Sequence, residues 1–128
     1  MTDKIKLGIL GATGMAGRDV VIHQKKLEEK GDDYASLELV AGSSSSQGRP
    51  LGDVFQEKEE VLSEKYAFWE PQECPQEYSD MKVQGLDADE IVEKVDYVIS
   101  ALPSSVAREI EPELRERGVH VFSNASEF

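Results

Sequence analysis

Residues Leu7–Gly17 read Leu-Gly-Ile-Leu-Gly-Ala-Thr-Gly-Met-Ala-Gly, and this stretch decides the fold. An apolar run ends at Leu10, three glycines follow, and an amphipathic helical pattern begins directly afterwards. Gly11 permits a tight turn, Gly14 leaves room for a pyrophosphate against the backbone, and Gly17 lets a helix lie close to the strand. Free N–H groups and the positive end of the helix dipole would face the anion. The order strand, glycine turn, helix therefore predicts a dinucleotide site, with a purely structural turn as the alternative, although the spacing is a G-x-x-G-x-x-G variant of G-x-G-x-x-G.

Size, charge and cysteine content narrow the class of protein. A chain of 128 residues fits one domain with a sizeable core. Its net charge of −12 argues against nucleic acid or an anionic membrane as a partner. No apolar run approaches the ~20 residues of a membrane span, and the polar start Thr2-Asp3-Lys4 does not resemble a signal peptide. The single cysteine, Cys74, suits a reducing compartment, so a cytoplasmic protein is predicted.

Strand and helix patterns alternate along the chain. Strands are predicted at 5–10, 37–41, 81–84, 95–102 and 119–123, and helices at 14–30, 54–62, 88–94 and about 104–118, the last interrupted at Glu111-Pro112. Such alternation implies a parallel sheet with right-handed crossovers. We therefore predict an α/β fold of the doubly wound, Rossmann type, with a mostly parallel sheet and helices on both faces, as one domain over residues 1–128. The acidic residues 53–80 are predicted to be a solvated surface, with a subunit contact as the alternative.

A run of serines follows the second predicted strand. After Ser43–Ser46 comes Arg49, and no carboxylate occurs between Glu38 and Asp53. In dinucleotide folds an acid at this place selects NAD, whereas its absence, with donors nearby, accommodates the 2′-phosphate of NADP. The hydroxyls and the Arg49 guanidinium therefore predict NADP as the cofactor, with a solvated polar loop as the alternative.

The last two predicted strands end in short polar segments. Ser104 or Ser105 is predicted to cap the helix that follows, with the first N–H groups of that helix turned towards the cofactor. Asn124 is predicted either to hydrogen-bond the nicotinamide side of the cofactor or to make a turn. His23 and His120 have no neighbouring ligand set, so no metal site is predicted. Cys74 lies in an acidic stretch that would raise the pKa of a thiol, so no nucleophile is predicted there.

Together these segments resemble the amino-terminal domain of aspartate-semialdehyde dehydrogenases of the archaeal and fungal type. The likeness is carried by Lys6–Gly17 with its Gly-Ala-Thr-Gly turn, the serine loop running into Gly48, Ser100–Ala107 and Phe122–Ser126. Glu111-Pro112-Glu113 also matches a habit of this family. N-acetyl-glutamyl-phosphate reductases share the Gly-Ala-Thr-Gly turn, and archaeal malonyl-CoA reductases are similar too, so both stay open as alternatives.

The resemblance implies an oxidoreductase of amino-acid biosynthesis that uses NADPH for the reductive dephosphorylation of aspartyl phosphate to aspartate semialdehyde. It also implies cofactor contacts in three groups. They are Gly11, Thr13, Gly14, Met15 and Ala16 at the pyrophosphate, Ser43 and Ser46 at the 2′-phosphate, and Leu102, Pro103, Ser104 and Asn124 beside the nicotinamide half. The family often has arginine where this chain has Ser45, which leaves Arg49 to supply the cation.

The resemblance also implies that part of the enzyme is missing. The nucleophilic cysteine, the proton-transferring histidine and the basic substrate-binding residues of the family would lie beyond Phe128, and Cys74 matches none of them. The second domain, which supplies most of the dimer interface, would lie there too. We therefore expect this chain alone to bind NADP without catalysis, with a missing catalytic half or a second copy of itself as its partner. A stand-alone dinucleotide-binding module is the alternative.

Overall fold

A parallel sheet flanked by helices is the architecture of this chain. The computed structural model describes residues 5–12, 15–31, 35–42, 46–67 and 74–123. The elements of this part are β1 (Ile5–Leu10), α1 (Met15–Glu29), β2 (Ala35–Ala41), α2 (Leu51–Lys65), α3 (Ala88–Lys94), β3 (Tyr97–Ser100), α4 (Ser104–Glu116) and β4 (His120–Ser123). All the strand pairs are parallel, in the order β2-β1-β3-β4. The predicted α/β fold of Rossmann type is confirmed.

Helices cover both faces of the sheet, which is why β1 is apolar almost throughout. Successive side chains of a strand point to opposite faces. Leu10 accordingly packs with the core residues of α3 and α4, which include Ile91 and Leu114. Ile9 packs on the other face with α1 and α2 residues such as Phe55. Two apolar layers therefore hold β1 at the centre of the domain.

The predicted strand over 81–84 is wrong. In the structure this segment contributes only isolated bridges, a parallel one between Gln84 and Ala41 and an antiparallel one between Lys82 and Pro50. The strand predicted over 95–102 is real but shorter, and the helix predicted over 54–62 extends over the whole of α2. Among the described helices, none combines the length and the apolar character that crossing a membrane requires.

The predicted interruption at Glu111-Pro112 is also wrong, because α4 continues through Pro112. Proline normally breaks a helix interior, since it has no N–H to donate and it crowds the preceding turn. In α4 the apolar residues Ala107, Ile110 and Leu114 are all buried in one core cluster, on both sides of the proline in sequence. Burial of that face holds the helix together despite the lost hydrogen bond.

One face of β3 and β4 carries an open aromatic row. The ring of Tyr97 stacks on His120 with centroids 4.6 Å apart and on Phe122 with centroids 5.8 Å apart. Phe122 is 58% exposed. Tyr97 is half-buried against the core cluster that includes residues of α1 and α2, whereas His120 and Phe122 are exposed. Within the described residues β4 is also an edge strand. We call Tyr97, His120 and Phe122 the aromatic row.

Candidate cofactor site

The carboxyl ends of the strands meet at one edge of the sheet, where open α/β sheets bind ligands. Leu10, the last residue of β1, pairs with Ala41 on one side and with Ser100 on the other. Ser100 in turn pairs with Ser123, the last residue of β4. The glycine turn, the serine loop, the segment after β3 and the chain after β4 therefore all begin side by side at this edge.

The glycine turn after β1 is held between α1 and the segment after β3. Gly11 has a φ of +77°, and a Cβ on it would lie 2.8 Å from the carbonyl oxygen of Ala101. A Cβ on Gly17 would lie 1.8 Å from the carbonyl oxygen of Gly11, so the first turn of α1 touches the turn's backbone directly. Two of the three glycines therefore have the roles that the sequence predicts, a left-handed turn and a close approach of helix to turn.

The hydrogen bonds of the turn show which amides remain for a ligand. The N–H groups of Gly11 and Ala12 both donate to the carbonyl oxygen of Ala41, at 2.8 and 3.1 Å. The amide of Gly11 is therefore already bonded, and this residue shapes the turn by its conformation. The free N–H groups that are predicted to face the pyrophosphate must belong to residues further along the chain. Met15 and Ala16 begin α1 at this edge, whereas the predicted contacts Thr13 and Gly14 lie outside the described residues.

Backbone hydrogen bonds from Val83 and Gln84 hold both ends of the serine loop, which runs from Ser43 to Gly48. The carbonyl oxygen of Gln84 accepts a hydrogen bond from the N–H of Gly42 at 3.1 Å, and that of Val83 accepts one from the N–H of Gly48 at 2.7 Å. The N–H of Val83 in turn donates to the backbone carbonyl oxygen of Arg49 at 2.9 Å. The segment predicted as a strand therefore fixes where the loop leaves β2 and where it joins α2. Tertiary hydrogen bonding of this kind leaves no periodic signal in the sequence.

Two predicted 2′-phosphate residues at the end of the loop are described. Ser46 is only 2% exposed, and its carbonyl oxygen accepts from the N–H of Arg49 at 3.2 Å. The guanidinium of Arg49 is partly exposed and pairs with Glu57 of α2 at 2.7 Å. Their hydrogen bond and mutual charge raise the pKa of Arg49 and lower the pKa of Glu57. Arg49 thus stands at the loop with an anionic partner already in place; Ser43 lies outside the described residues.

The predicted cap of α4 is wrong, because the helix begins one residue earlier than a serine cap requires. Pro103 occupies the cap position and makes no side-chain hydrogen bond there, so Ser104 is the first helical residue. Leu102 is buried in the core cluster below the edge, whereas Pro103 is exposed. The N–H groups of Val106 and Ala107 donate to the carbonyl oxygen of Pro103 at 3.0 and 2.9 Å. The amides of Ser104 and Ser105 precede them at the helix start, where N–H groups have no acceptor within the helix. Asn124 lies outside the described residues.

Polar groups beneath the end of β3 and β4 were not predicted as part of the site. The hydroxyl of Ser100 is fully buried and has no hydrogen-bond partner among the described residues. Ser123 donates its hydroxyl to the carboxylate of Glu111, with 3.0 Å between Oγ and Oε2. Glu111 belongs to the Glu-Pro-Glu segment, and that pattern was the only sequence signal for it.

The remaining candidate side chains lie away from this edge. Cys74 is half-buried and contacts the carbonyl oxygen of Pro75 at 3.6 Å. It lines a groove of about 610 Å³ with Lys25 and other residues from the second half of α1, far along the helix from the glycine turn. His23 lies exposed on α1 and His120 on β4, as predicted. The described residues contain no cluster of three or more potential metal ligands.

Comparison with known proteins agrees with this geometry. Residues 6–128 match the family model described as semialdehyde dehydrogenase, NAD binding domain. The chain belongs to this family. An aspartate-semialdehyde dehydrogenase from Methanothermobacter thermautotrophicus is 35% identical over 123 residues, covering 95% of this chain and 30% of the relative. An N-acetyl-gamma-glutamyl-phosphate reductase from Acaryochloris marina is 31% identical over 126 residues, covering 98% and 29%.

A solved structure of the same family has the same fold. The aspartate-semialdehyde dehydrogenase from Candida albicans, determined with NADP, superposes with a TM-score of 0.74 at 27% identity, covering 97% of this chain and 30% of that one. The chain thus spans about 30% of the length of the relatives that it matches. The observed edge fits an NAD-binding domain of this family. The helix α1 approaches the glycine turn so closely that there is no space for a Cβ on Gly17, which is the close packing that dinucleotide-binding turns require.

Proposed function

We propose that this chain is the NADP(H)-binding part of an aspartate-semialdehyde dehydrogenase, which carries out the NADPH-dependent reductive dephosphorylation of aspartyl phosphate to aspartate semialdehyde. The observation that carries the proposal is the glycine turn clamped by Gly17 at the carboxyl edge, in a chain 35% identical to such an enzyme. When bound, the cofactor supplies the hydride. This chain's own residues bind and orient it: the turn and Met15–Ala16 at the pyrophosphate, the serine loop at the ribose, and Leu102–Ser104 with Asn124 at the nicotinamide end.

The surroundings of the β2 end support NADP over NAD. Glu38 is the last carboxylate before the loop; it lies within the register shift of β2 and accepts a hydrogen bond from Ser36 at 2.9 Å. The strand then ends at Ala41 and Gly42 follows it, so no acid stands where a ribose 2′-hydroxyl would be recognised. Ser46 and the Arg49 guanidinium are the groups that we assign to the 2′-phosphate.

The proposal is tested by titrating the purified chain with NADPH and with NADH, followed by calorimetry or by nicotinamide fluorescence. We expect NADPH to bind at least tenfold more tightly, since a charge-assisted contact to a phosphate contributes about that factor. Binding of neither dinucleotide at millimolar concentration would refute the cofactor site, and a preference for NADH would refute the role of the serine loop.

A variant in the turn locates the pyrophosphate. Gly14→Val places a branched side chain where the backbone is expected to approach the phosphates, so binding of both dinucleotides should disappear while the circular dichroism spectrum stays that of a folded domain. Unchanged affinity in the folded variant would place the pyrophosphate elsewhere.

The chain spans about 30% of the length of the relatives that it matches, and so we propose that it holds NADP(H) without turnover on its own, as the cofactor part of a two-part enzyme. The catalytic part is the proposed partner, whether it is encoded downstream of Phe128 or supplied by another chain. An open reading frame that continues with a cysteine-containing catalytic segment would support this, whereas a stop codon would favour a stand-alone binding module. One cysteine in 128 residues supports a cytoplasmic location.

A second candidate is the cofactor part of an N-acetyl-gamma-glutamyl-phosphate reductase, favoured by the 31% identity to the Acaryochloris marina protein. The two candidates differ in substrate and share the dinucleotide site. Phosphate-dependent reduction of NADP+ by the complete protein, with aspartate semialdehyde or with N-acetylglutamate semialdehyde as substrate, decides between them.

A further inference from the structure

The strand β4 is more exposed than strands of a parallel sheet ordinarily are. The last four residues of β1 are all buried, and β3 alternates between half-buried and buried residues. In β4 only Val121 is half-buried, whereas His120, Phe122 and Ser123 are exposed. Parallel sheets occur almost only where both faces are covered. The described part of the chain therefore leaves this side of the sheet incomplete.

The two faces of β4 differ in what covers them. On one face Val121 packs against the core cluster that contains Leu114 of α4. On the other face Tyr97 of β3 is half-buried, and its ring stacks on the exposed rings of His120 and Phe122. An apolar ring that is 58% exposed, as Phe122 is, gains free energy when a partner covers it.

The outer side of β4 presents backbone groups that no described strand pairs. His120 donates its N–H to the carbonyl oxygen of Asp96, on the side of β3, at 3.1 Å. Successive residues of a strand point these groups to opposite sides, so the N–H and C=O of Val121 point away from β3. A groove of about 350 Å³, lined by Arg115 and residues 118–122, opens beside the strand. Such an edge is a template for one further strand.

The location of β4 indicates what kind of partner this surface fits. Its last residue, Ser123, is in register with Ser100, which is in register with Leu10 before the glycine turn. A partner that lies on β4 therefore adjoins the edge where we place the dinucleotide. The chain spans about 30% of the length of its relatives, and the groups that complete the reaction have to reach this same edge, because hydride transfer requires contact with the nicotinamide.

A second copy of the chain is a poorer occupant of this surface. The net charge of −12 makes two copies repel each other. A stable interface buries about 1,200 Å² or more, and a strand of four residues supplies only a small share of that area. The surface therefore fits a larger partner that extends beyond β4.

We propose that the outer side of β4 and the aromatic row together form the docking surface for the catalytic part of the enzyme. The catalytic part adds a strand whose backbone pairs with Val121 and whose apolar side chains cover His120 and Phe122. This inference rests on the proposed two-part enzyme and assigns the surface by which its cofactor part is joined to the rest.

Amide hydrogen exchange tests the backbone contact by comparing the chain alone with the complete enzyme, in a mass spectrometer that resolves single residues by fragmentation. In the chain alone the Val121 amide should exchange rapidly, because it faces the outer side of β4. In the complete enzyme its exchange should be at least about a hundredfold slower, because a further strand bonds and buries it. Equal exchange in the two proteins would overturn the inference.

Phe122→Lys and Val61→Lys are a matched pair of variants for the side-chain contact. Both side chains are apolar and more than half exposed, at 58% and 54%, but Val61 lies on α2. In the chain alone each variant should keep the thermal midpoint within about 2 °C and the NADPH affinity within about twofold. In the complete enzyme Phe122→Lys should lower the midpoint by at least about 5 °C, since it buries a charge at the interface, whereas Val61→Lys should not. Equal losses from the two variants would contradict the docking surface.

Light scattering during size-exclusion chromatography separates the remaining outcomes. We expect the chain alone to be a monomer at neutral pH. A dimer that Phe122→Lys converts to a monomer would assign the surface to a second copy and overturn the inference. A complete protein no longer than this chain, with β4 still exposed, would overturn the two-part enzyme and this inference together, while the NADPH titration of the chain still decides the dinucleotide site.

Discussion

The two halves of the carboxyl edge are built by different means. At the β1–β2 half, the contacts that hold the edge are made by the backbone. The helix α1 touches the glycine turn at Gly17, and the amides of Gly11 and Ala12 both donate to the carbonyl oxygen of Ala41. At the β3–β4 half, the contact is a side-chain hydrogen bond between Ser123 and Glu111. The hydroxyl of Ser100 is buried beside it without a partner among the described residues.

This difference determines how well each half of the edge tolerates substitutions. A backbone contact at van der Waals distance leaves no room for even one methyl group, so the first half depends on the absence of side chains. A side-chain hydrogen bond depends on a matched pair, which conservative replacements keep in part. The first half is therefore rigid and sensitive to any added atom, whereas the second half is adjustable.

The largest effect is expected from Gly17→Ala. Within a helix this change ordinarily stabilises by about 1 kcal/mol, but here the new Cβ would lie 1.8 Å from the carbonyl oxygen of Gly11. The helix must move away from the turn, and we expect the free energy of unfolding to fall by about 3 kcal/mol, measured by urea denaturation.

Gly31→Ala is the matched control for this change. Gly31 follows α1 with a φ of +83°, and nothing lies within 4 Å of the Cβ that alanine would add. Only backbone strain of about 1 kcal/mol is expected. If the two variants lose equal stability, the close approach of α1 to the turn is not what the first half depends on.

The next effect concerns the hydrogen bond of the second half. A double-mutant cycle of Glu111→Ala and Ser123→Ala, followed by denaturation, should give a coupling free energy of about 1.5 kcal/mol, since a hydrogen bond to a buried carboxylate is stronger than a neutral one. Glu109→Ala with Ser123→Ala should give a coupling near zero. A coupling near zero for the Glu111 cycle would mean that the bond does not stabilise the end of β4.

A smaller effect, of opposite sign, is expected at Ser100. Its hydroxyl is buried without a partner among the described residues, so Ser100→Ala removes an unpaired polar group. We expect the free energy of unfolding of the cofactor-free chain to rise by about 0.5 to 1 kcal/mol. A loss of stability would show that a residue outside the described part accepts or donates a bond to this hydroxyl.

The smallest effect is expected from Glu57→Gln. Its hydrogen bond and charge interaction with Arg49 lower the pKa of Glu57, and this paired carboxylate competes with a 2′-phosphate for the guanidinium. Stability from the pair is present above the ordinary pKa of glutamate and is lost as the pH falls through the lowered one.

Removing that competition should raise the NADPH affinity about twofold to threefold, as measured by fluorescence titration, with NADH unchanged. Glu60→Gln, which changes an exposed carboxylate of the same helix, is the control and should change neither affinity. An unchanged NADPH affinity in Glu57→Gln would remove Arg49 from the 2′-phosphate site.

The first half of the edge was predictable from the sequence because its signals are local. The left-handed turn at Gly11 depends on neighbouring residues, as does the helix over Ala88–Lys94 elsewhere in the chain, and the structure has both where they were predicted. The parallel pairing of the strands likewise follows from the alternation of strands and helices.

Other features were not predictable because their determinants are distant in sequence. Residues 82–84 have the composition of a strand, but their partners at Ala41 and Pro50 make them a brace for the loop. Pro112 signals an interruption that burial of Leu114 and its neighbours overrides. Glu111 has the appearance of a surface glutamate until the fold brings Ser123 to it.

The aromatic row also has a consequence for handling the chain in solution. An open strand edge beside exposed rings is a template for stacking of like chains. At neutral pH the net charge of −12 keeps copies apart. Near the isoelectric point of about 4.5 that colloidal repulsion vanishes. We therefore expect light scattering to rise as the pH approaches this value, and we expect Phe122→Lys to suppress the rise. The negative charge of the chain thus opposes its self-association.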